Sequence, residues 1–297
     1  MNVSVLIPTL NEVHNISDCL ASVEWADDVV VVDSGSSDGT VELVRSEGAR
    51  VIDFRWNGQF PKKKNWALAN VDWKHEWVLI LDADERITPE LAREIQEALT
   101  QPLADGYFIK RRFVFMGRWI KHCGYYPSWN LRLFRHSLGR FENLHSGNTK
   151  SGDNEVHEHV ILNGRTRYLQ HDMLHYAYPD IHTWMEKHNR YSNWEAEVEV
   201  LGAAGPVIGG DIGGYLSARR RLRTLSRYMP FRPALRFFYS YVIKRGFLDG
   251  YEGYIFCRLL ASYEMLSVFK AAEIRHNQRS RDSSGTVLRG SRQRLDP

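Results

Sequence analysis

Trp77-Val78-Leu79-Ile80-Leu81-Asp82-Ala83-Asp84-Glu85 is the stretch on which the fold turns. An apolar run closed by acids reads as a strand buried on both faces of a parallel sheet, with Asp82 to Glu85 emerging at its carboxyl end. Open α/β sheets bind ligands in the crevice beyond such ends. Carboxylates two positions apart can converge there on a hard divalent cation, Mg2+ or Mn2+, shared with a bound diphosphate. The plainer use of Asp82 and Asp84 is to end the strand and cap a helix starting near Thr88-Pro89. The triplet alone favours that plainer use, and its surroundings shift the balance.

Upstream, Val3-Ser4-Val5-Leu6-Ile7-Pro8-Thr9 reads as a first strand followed by the polar turn Leu10-Asn11-Glu12, and Asn15 to Val23 fits a helix. Asp28-Val29-Val30-Val31-Val32-Asp33 is a second strand ending in a carboxylate. It enters Ser34-Gly35-Ser36-Ser37-Asp38-Gly39-Thr40, whose glycines and small side chains let backbone approach a ligand closely. Val41 to Glu47 fits the next helix, and Ala49 to Phe54 a third strand. Strands alternating with helices predict an α/β fold with a mostly parallel sheet and right-handed crossovers. Glu12, Asp33 and the Asp82/Asp84 pair then fall along one edge of that sheet.

In order and spacing these segments resemble the family 2 glycosyltransferases with a GT-A fold, most closely those of bacterial lipopolysaccharide core biosynthesis. Val5 to Glu12 matches the family's opening strand and loop, Val31 to Thr40 its nucleotide loop, and Asp82-Ala83-Asp84 its DxD element. No Gly-x-Gly-x-x-Gly or Walker sequence competes. The resemblance implies that Pro8, Thr9, Asn11 and Glu12 line the base and ribose pocket, that Asp33 with Ser34 contacts the base, and that Asp82 lies near ribose or diphosphate. It implies Asp84 as a ligand of Mg2+ or Mn2+, with His175 completing the metal shell or contacting diphosphate.

Lys62-Lys63-Lys64-Asn65 precedes a helix, and charge plus a helix N-terminus favours a diphosphate, so Lys64 and Asn65 join the nucleotide-sugar residues. A solvated basic loop is the commoner fate of a lysine run. Gly106 to Phe115 reads as a strand opening the acceptor half, in which Trp129 and Arg132 are candidates for a sugar ring and a phosphate. Core packing claims most of the neighbouring aromatics. Inverting sugar transfer needs a carboxylate to deprotonate the acceptor hydroxyl, and Glu158 in Val156-His157-Glu158-His159 is the candidate base, since related sequences carry Val-His-Glu there. Without a third suitable ligand, His157 and His159 do not make a zinc site.

The domain organisation expected is a glycosyltransferase domain over residues 1–200, divided near residue 110 into nucleotide-sugar and acceptor halves, then a glycine-rich linker over 201–214. A helical region that associates with a membrane or a partner follows over 215–276, and a disordered tail over 277–297. Residues 211–297 carry 17 Lys/Arg against 7 Asp/Glu, so a chain of net charge +3 places a basic C-terminal region on an acidic body. Phe231 to Phe247 interleaves Arg and Lys with Phe, Tyr and Leu, the composition of a helix lying in a membrane interface or of one packed on the domain with its basic face solvated.

Cys19, Cys123 and Cys257 are few and scattered, which argues for a reducing compartment. The N-terminus carries no basic and apolar leader, and Arg258 and Glu264 interrupt the best membrane-spanning candidate. The expectation is a cytoplasmic protein, peripheral on the inner membrane. It would transfer a hexose from a UDP-sugar to a lipopolysaccharide core or other lipid-linked glycan, with no nucleic acid as partner. A polyprenyl-phosphate glycosyltransferase and an inactive nucleotide-sugar binding protein remain alternatives.

Overall fold

A computed structural model describes residues 2–59, 61–142, 159–201, 229 and 231–292 of the chain. Four strands, β1 (Val3–Thr9), β2 (Val29–Asp33), β3 (Arg50–Asp53) and β4 (Trp77–Ile80), run parallel in the order β3-β2-β1-β4. They alternate with α1 (Ile16–Ala21), α2 (Thr40–Ser46) and α3 (Lys63–Asn70). Side chains of β1, β2 and β4 are buried on both faces, while edge strand β3 is partly exposed, and Val78, Leu79 and Ile80 are wholly inaccessible, which is why β4 reads as an unbroken apolar run. Each such side chain contributes roughly 1.5–3 kcal/mol by leaving water.

After β4 the chain makes a tight turn into β5 (Glu85–Ile87), and α4 (Pro89–Thr100) begins behind the N-cap Thr88, whose hydroxyl accepts from the Leu91 amide at 3.2 Å. The acids and the cap therefore do separate jobs a few residues apart. The second half of the sheet is built from β6 (Gly106–Phe115), β7 (Arg118–Trp119), β8 (Trp129–Arg135) and β11 (Thr166–His175). β8 enters antiparallel between β4 and β6, β11 lies parallel to β6, and β5 closes the edge antiparallel to β11. β9 (Gly139–Phe141) and β10 (Val160–Leu162) form a separate ribbon. This is the α/β architecture, mostly parallel in its first half, that the GT-A expectation describes.

Among the described residues three cores hold it. One packs α1, α2 and α4 on one face of the sheet around Val5, Ile7, Leu79 and Leu91. The second packs α3 and the β9/β10 ribbon on the other face around Leu6, Ile80 and Phe134. The third joins Phe113, Phe115 and Cys123 of the acceptor half to Trp184 of α5 (Ile181–Leu201) and to Phe256, Cys257 and Leu260 of the C-terminal helix.

The C-terminal region comprises α6 (Arg232–Phe238), a π turn over Tyr239–Ile243, a 3-10 turn over Gly246–Asp249, and α7 (Gly250–Arg292). Its join is close-packed. The Asp249 carboxylate accepts from the His122 amide and meets its Nδ1, both at 2.7 Å. A Cβ on Gly246 would lie 2.8 Å from the Sγ atoms of both Cys123 and Cys257.

One expectation is corrected here. Asn277 to Arg292, read as disordered from its polar composition, continues α7 as helix. A helix whose first turns are anchored in a core has its nucleation cost already met and can propagate beyond them. The glycine-rich stretch 202–214, the Arg219–Arg223 cluster and the last five residues lie outside the described residues.

Candidate active site

β2, β1 and β4 are adjacent and parallel, so Asp33, the Asn11-Glu12 turn and the acids after Ile80 share the sheet's carboxyl edge. Asp33 is the most fully engaged of them. Its Oδ1 accepts from the amides of Gly35 and Ser36 at 2.8 and 2.7 Å, and its Oδ2 from the hydroxyls of Thr9 and Ser36 at 2.9 and 2.5 Å. Burial pushes this carboxyl up, and the four donors outweigh it, leaving Asp33 below the usual carboxylate range. The turn passes through Gly35 at φ 90° and Gly39 at φ 94°, left-handed positions that a side chain would strain. Asn11, itself at φ 57°, ties the two loops together by accepting from the Ser37 amide at 2.9 Å while its own amide donates to Ser36 Oγ at 2.8 Å. Pro8 lies half-buried on β1 beside them, and the buried Ser34 hydroxyl oxygen lacks a hydrogen-bond partner.

Asp82 sits in a buried ion network. Lys64 Nζ meets its Oδ1 at 2.7 Å, and Arg132 Nη2 meets its Oδ2 at 2.6 Å. The same guanidinium reaches Glu85 Oε1 at 2.8 Å, and Arg111 approaches that oxygen at 3.3 Å. Burial pushes Asp82 up, but the charges of Arg132 and Lys64 hold it well below the ordinary range. Burial correspondingly pushes Arg132 down, and Asp82 with Glu85 outweighs it and raises it. Arg132, expected to clamp an acceptor phosphate, is thus 7% exposed and already holds two carboxylates. Lys64 is likewise paired. Lys63 is buried and donates to the Thr9 carbonyl at 2.8 Å, so this lysine run is not a solvated loop. Asn65 faces the β9 strand, exchanging two hydrogen bonds with the backbone of Phe141 at 2.8 and 3.0 Å.

Asp84 differs from all of these. Its Oδ1 is buried and has no hydrogen-bond partner, with His175 Nε2 3.7 Å away at the end of β11. Burial pushes Asp84 up, and the neighbouring His175 brings it below its ordinary value. An orphaned buried carboxylate oxygen beside an imidazole is a fitting donor pair for Mn2+ or Mg2+, whose remaining positions substrate phosphates and water fill. Among the described residues no group of three His, Cys, Asp or Glu is placed to hold a metal, so the fit is to a cation shared with its substrate.

Glu12 lies close enough to feel both aspartates. Burial pushes its carboxyl up, Asn15 Nδ2 donating to it at 2.9 Å opposes this, and repulsion from Asp84 adds to it. Lys187 of α5 contributes positive charge to Glu12 and Asp84, donates to the Ala177 carbonyl at 3.3 Å and lies over the Tyr178 ring at 5.5 Å. Nothing in the spacing of α5 singles Lys187 out. Its role arises from α5 crossing the sheet edge, a tertiary fact. Trp129, the candidate sugar platform, packs edge-on against Tyr168 with Lys110 5.3 Å from its ring centre. Glu158 and His157 lie outside the described residues.

A parallel α/β sheet whose carboxyl edge gathers two loop carboxylates, a guanidinium-held aspartate and a free-oxygen aspartate has the makings of a ligand site of the open α/β enzymes. The Glycosyl transferase family 2 profile matches residues 4–158, and the chain belongs to that family; it is a glycosyltransferase. A Rickettsia bellii protein known as an uncharacterized glycosyltransferase is 26% identical over 282 residues, covering 92% of this chain and 86% of its own. The lipopolysaccharide core biosynthesis glycosyltransferase LpsC of Rhizobium meliloti is 31% identical over 211 residues, covering 66% and 71%. Among solved structures, Staphylococcus aureus TarS residues 1–349 superpose with a TM-score of 0.45 at 18% identity, over 94% of this chain and 92% of that one.

Proposed function

We propose that this enzyme is an inverting glycosyltransferase that moves a hexose from a UDP-sugar to a lipopolysaccharide core or related lipid-linked glycan, at a membrane surface and with a divalent cation. The observation that carries the reading is the Asp84 oxygen, buried, unpaired and beside His175 at the carboxyl end of β4, in a chain of this family. Likeness to LpsC over two-thirds of the chain supports the acceptor class. No described helix is long and apolar enough to cross a membrane, which is compatible with a surface-bound enzyme.

In the proposed reaction the acceptor hydroxyl oxygen attacks the anomeric carbon as the bond from that carbon to the diphosphate oxygen breaks. The hydroxyl proton passes to Glu158, and the nucleoside diphosphate leaves with the bonding electron pair. Held by Asp84 and His175, a divalent cation would supply charge neutralisation to that diphosphate. Asp33 shapes the loop against which the base lies, and Thr9, Asn11 and Ser34 edge the same pocket. Asp82, Arg132 and Lys64 hold the turn that aims Asp84, and Lys187 adds positive charge over the edge.

Calorimetric titration of UDP, with Mn2+ and with EDTA, into the wild type and Asp84→Asn tests this. Binding that requires both the cation and Asp84 is expected, followed by release of UDP from one UDP-sugar in a donor screen. Binding of UDP indifferent to cation and to Asp84 would refute the metal site. No binding of UDP, GDP or dTDP would refute the donor reading.

A further inference from the structure

The segment leading into α7 carries apolar side chains on its exposed face as well as on its packed one. In α6 and the π turn, Phe231, Leu235, Phe238 and Val242 fall on one face at helical spacing, and that face is exposed, with Phe231 83% and Phe238 53% accessible. α6 contains no buried residue. The opposite side packs on the protein, with Phe237 and Tyr241 against the third core. Arg232 is held by Glu199 at 2.7 Å and Glu264 at 2.6 Å, bracing the helix against α5 and α7 in this orientation.

Half-buried rings link this face to the exposed start of α7. Phe237 stacks on Tyr241 at 5.2 Å, Tyr241 meets Phe247 and Tyr254 at 6.2 and 5.8 Å, and Tyr254 stacks with Tyr251 at 6.4 Å. Ile243, Leu248 and Tyr251 are half or more exposed at 57%, 50% and 70%. A contiguous patch of this kind marks an interaction site.

Charge selects the partner. Between residues 229 and 263 the only acids are Asp249 and Glu252. Asp249 is buried against His122, and Glu252 faces Arg118 at 3.7 Å. Lys244, Arg245 and Arg258 are exposed, with Lys244 lying 5.4 Å from the Tyr239 ring centre and Arg258 5.7 Å from that of Phe237. Aromatic and aliphatic side chains rimmed mainly by cations among the described residues match an anionic lipid surface, where rings enter the interface and Lys and Arg meet headgroup phosphates.

We infer that the corner formed by α6, the two turns and the start of α7 is the element that inserts into an anionic bilayer, and that the basic tail of α7 is not. This deepens the acceptor reading and rests on it for its purpose, while its geometry stands apart from the nucleotide site. Because the third core clamps this corner to the acceptor half through Cys123, Cys257 and the Asp249–His122 contact, docking here fixes the orientation of that half to the membrane.

The test is co-sedimentation of the full chain with phosphatidylcholine vesicles, with and without phosphatidylglycerol, beside light scattering and UDP titration. The wild type should sediment with the anionic vesicles. Phe238→Ser with Ile243→Ser and Phe247→Ser, and separately Lys244→Glu with Arg245→Glu, should each weaken partition about tenfold or more while UDP binding and helix content persist. Removal of residues 281–297 should leave partition unchanged. Absence of wild-type sedimentation, or partition lost only with the tail, would overturn the inference. So would a dimer that the triple variant dissociates without any vesicle binding, since the patch would then join two copies. UDP binding lost with vesicle binding intact would refute the donor reading alone.

Discussion

The turn after β2 and the turn after β4 sit side by side on one sheet edge and each carries acids, yet they use them in opposite ways. After β2, Asp33 accepts four hydrogen bonds from its own turn and from Thr9, so the carboxylate builds the loop. After β4, Asp82 and Glu85 are neutralised by cations from distant strands, and this leaves Asp84 with an oxygen nothing in the protein satisfies. One residue type at one topological position thus serves as scaffold, as counter-ion and, in the function proposed, as ligand. Partners decide among these roles, and three variants separate them.

The largest effect is expected at Arg132. Arg132→Met strips a buried cation from Asp82, which keeps Lys64, and from Glu85, which is inaccessible to solvent and keeps Arg111 at 3.3 Å; breaking a buried ion pair from one side costs about 3 kcal/mol. Urea unfolding should show that loss, with UDP binding falling because the Asp84 turn is no longer held. Arg132→Lys should recover part of the stability but not all of it, since a single ammonium cannot reproduce the planar fork. A variant as stable as the wild type would show that the network is not what holds the turn.

Asp84→Asn should behave in the reverse manner. It removes no hydrogen bond, and the charge it deletes is attracted by His175 and repelled by Glu12, so unfolding should shift by far less than in Arg132→Met. Cation-dependent turnover should drop by about a hundredfold or more, the scale of several kcal/mol of charge neutralisation lost at the leaving diphosphate. Loss of stability together with activity would collapse the contrast between Asp82 and Asp84.

The division between strands and roles explains what the sequence discloses. β1, β2 and β4 were readable because strands covered on both faces must be apolar throughout, and the acids at their ends stand out by contrast. Gly35 and Gly39 advertised the loop because their left-handed backbone excludes other residues. The partner assignments were not readable. Lys64 and Arg132 reach Asp82 from 18 and 50 residues away, and only the insertion of β8 beside β4 brings the guanidinium there. Asn65 read as a ligand residue because its role, two bonds to the Phe141 backbone, spans 76 residues. α6 read as an amphipathic helix with no indication of which face is inward, since periodicity carries no sign; Glu199 and Glu264, which hold Arg232, set it.

Asp33→Asn sharpens the scaffold side of the comparison. An amide keeps one acceptor oxygen and places an NH2 against donors, so charge-assisted bonds are lost at a cost of about 1.5–3 kcal/mol. The folded-state pKa of Asp33 lies below its unfolded value, so its contribution is present at neutral pH and is lost as pH falls through the folded value. The gap between Asp33→Asn and wild type should therefore narrow in acid, and a gap independent of pH would mean that the amide, not the charge, matters.

Glu12 predicts the smallest effect and the opposite sign. Burial and repulsion from Asp84 outweigh the hydrogen bond from Asn15, so the folded state holds the Glu12 proton more tightly than the unfolded chain does. Its favourable contribution is therefore complete below the unfolded value near ~4.3 and is lost as pH rises through the folded value, leaving a penalty at neutral pH. Glu12→Gln keeps an acceptor for Asn15 and removes the charge. In EDTA, its midpoint should exceed that of the wild type at neutral pH and converge with it in acid, while Asp33→Asn converges from below. A cation that neutralises Asp84 should shrink the Glu12→Gln advantage, because part of the penalty is the repulsion from that carboxylate. If the advantage is the same with Mn2+ as with EDTA, the charge on Asp84 is not what raises Glu12, and desolvation with the weaker influence of Asp82 separates these two neighbouring loops.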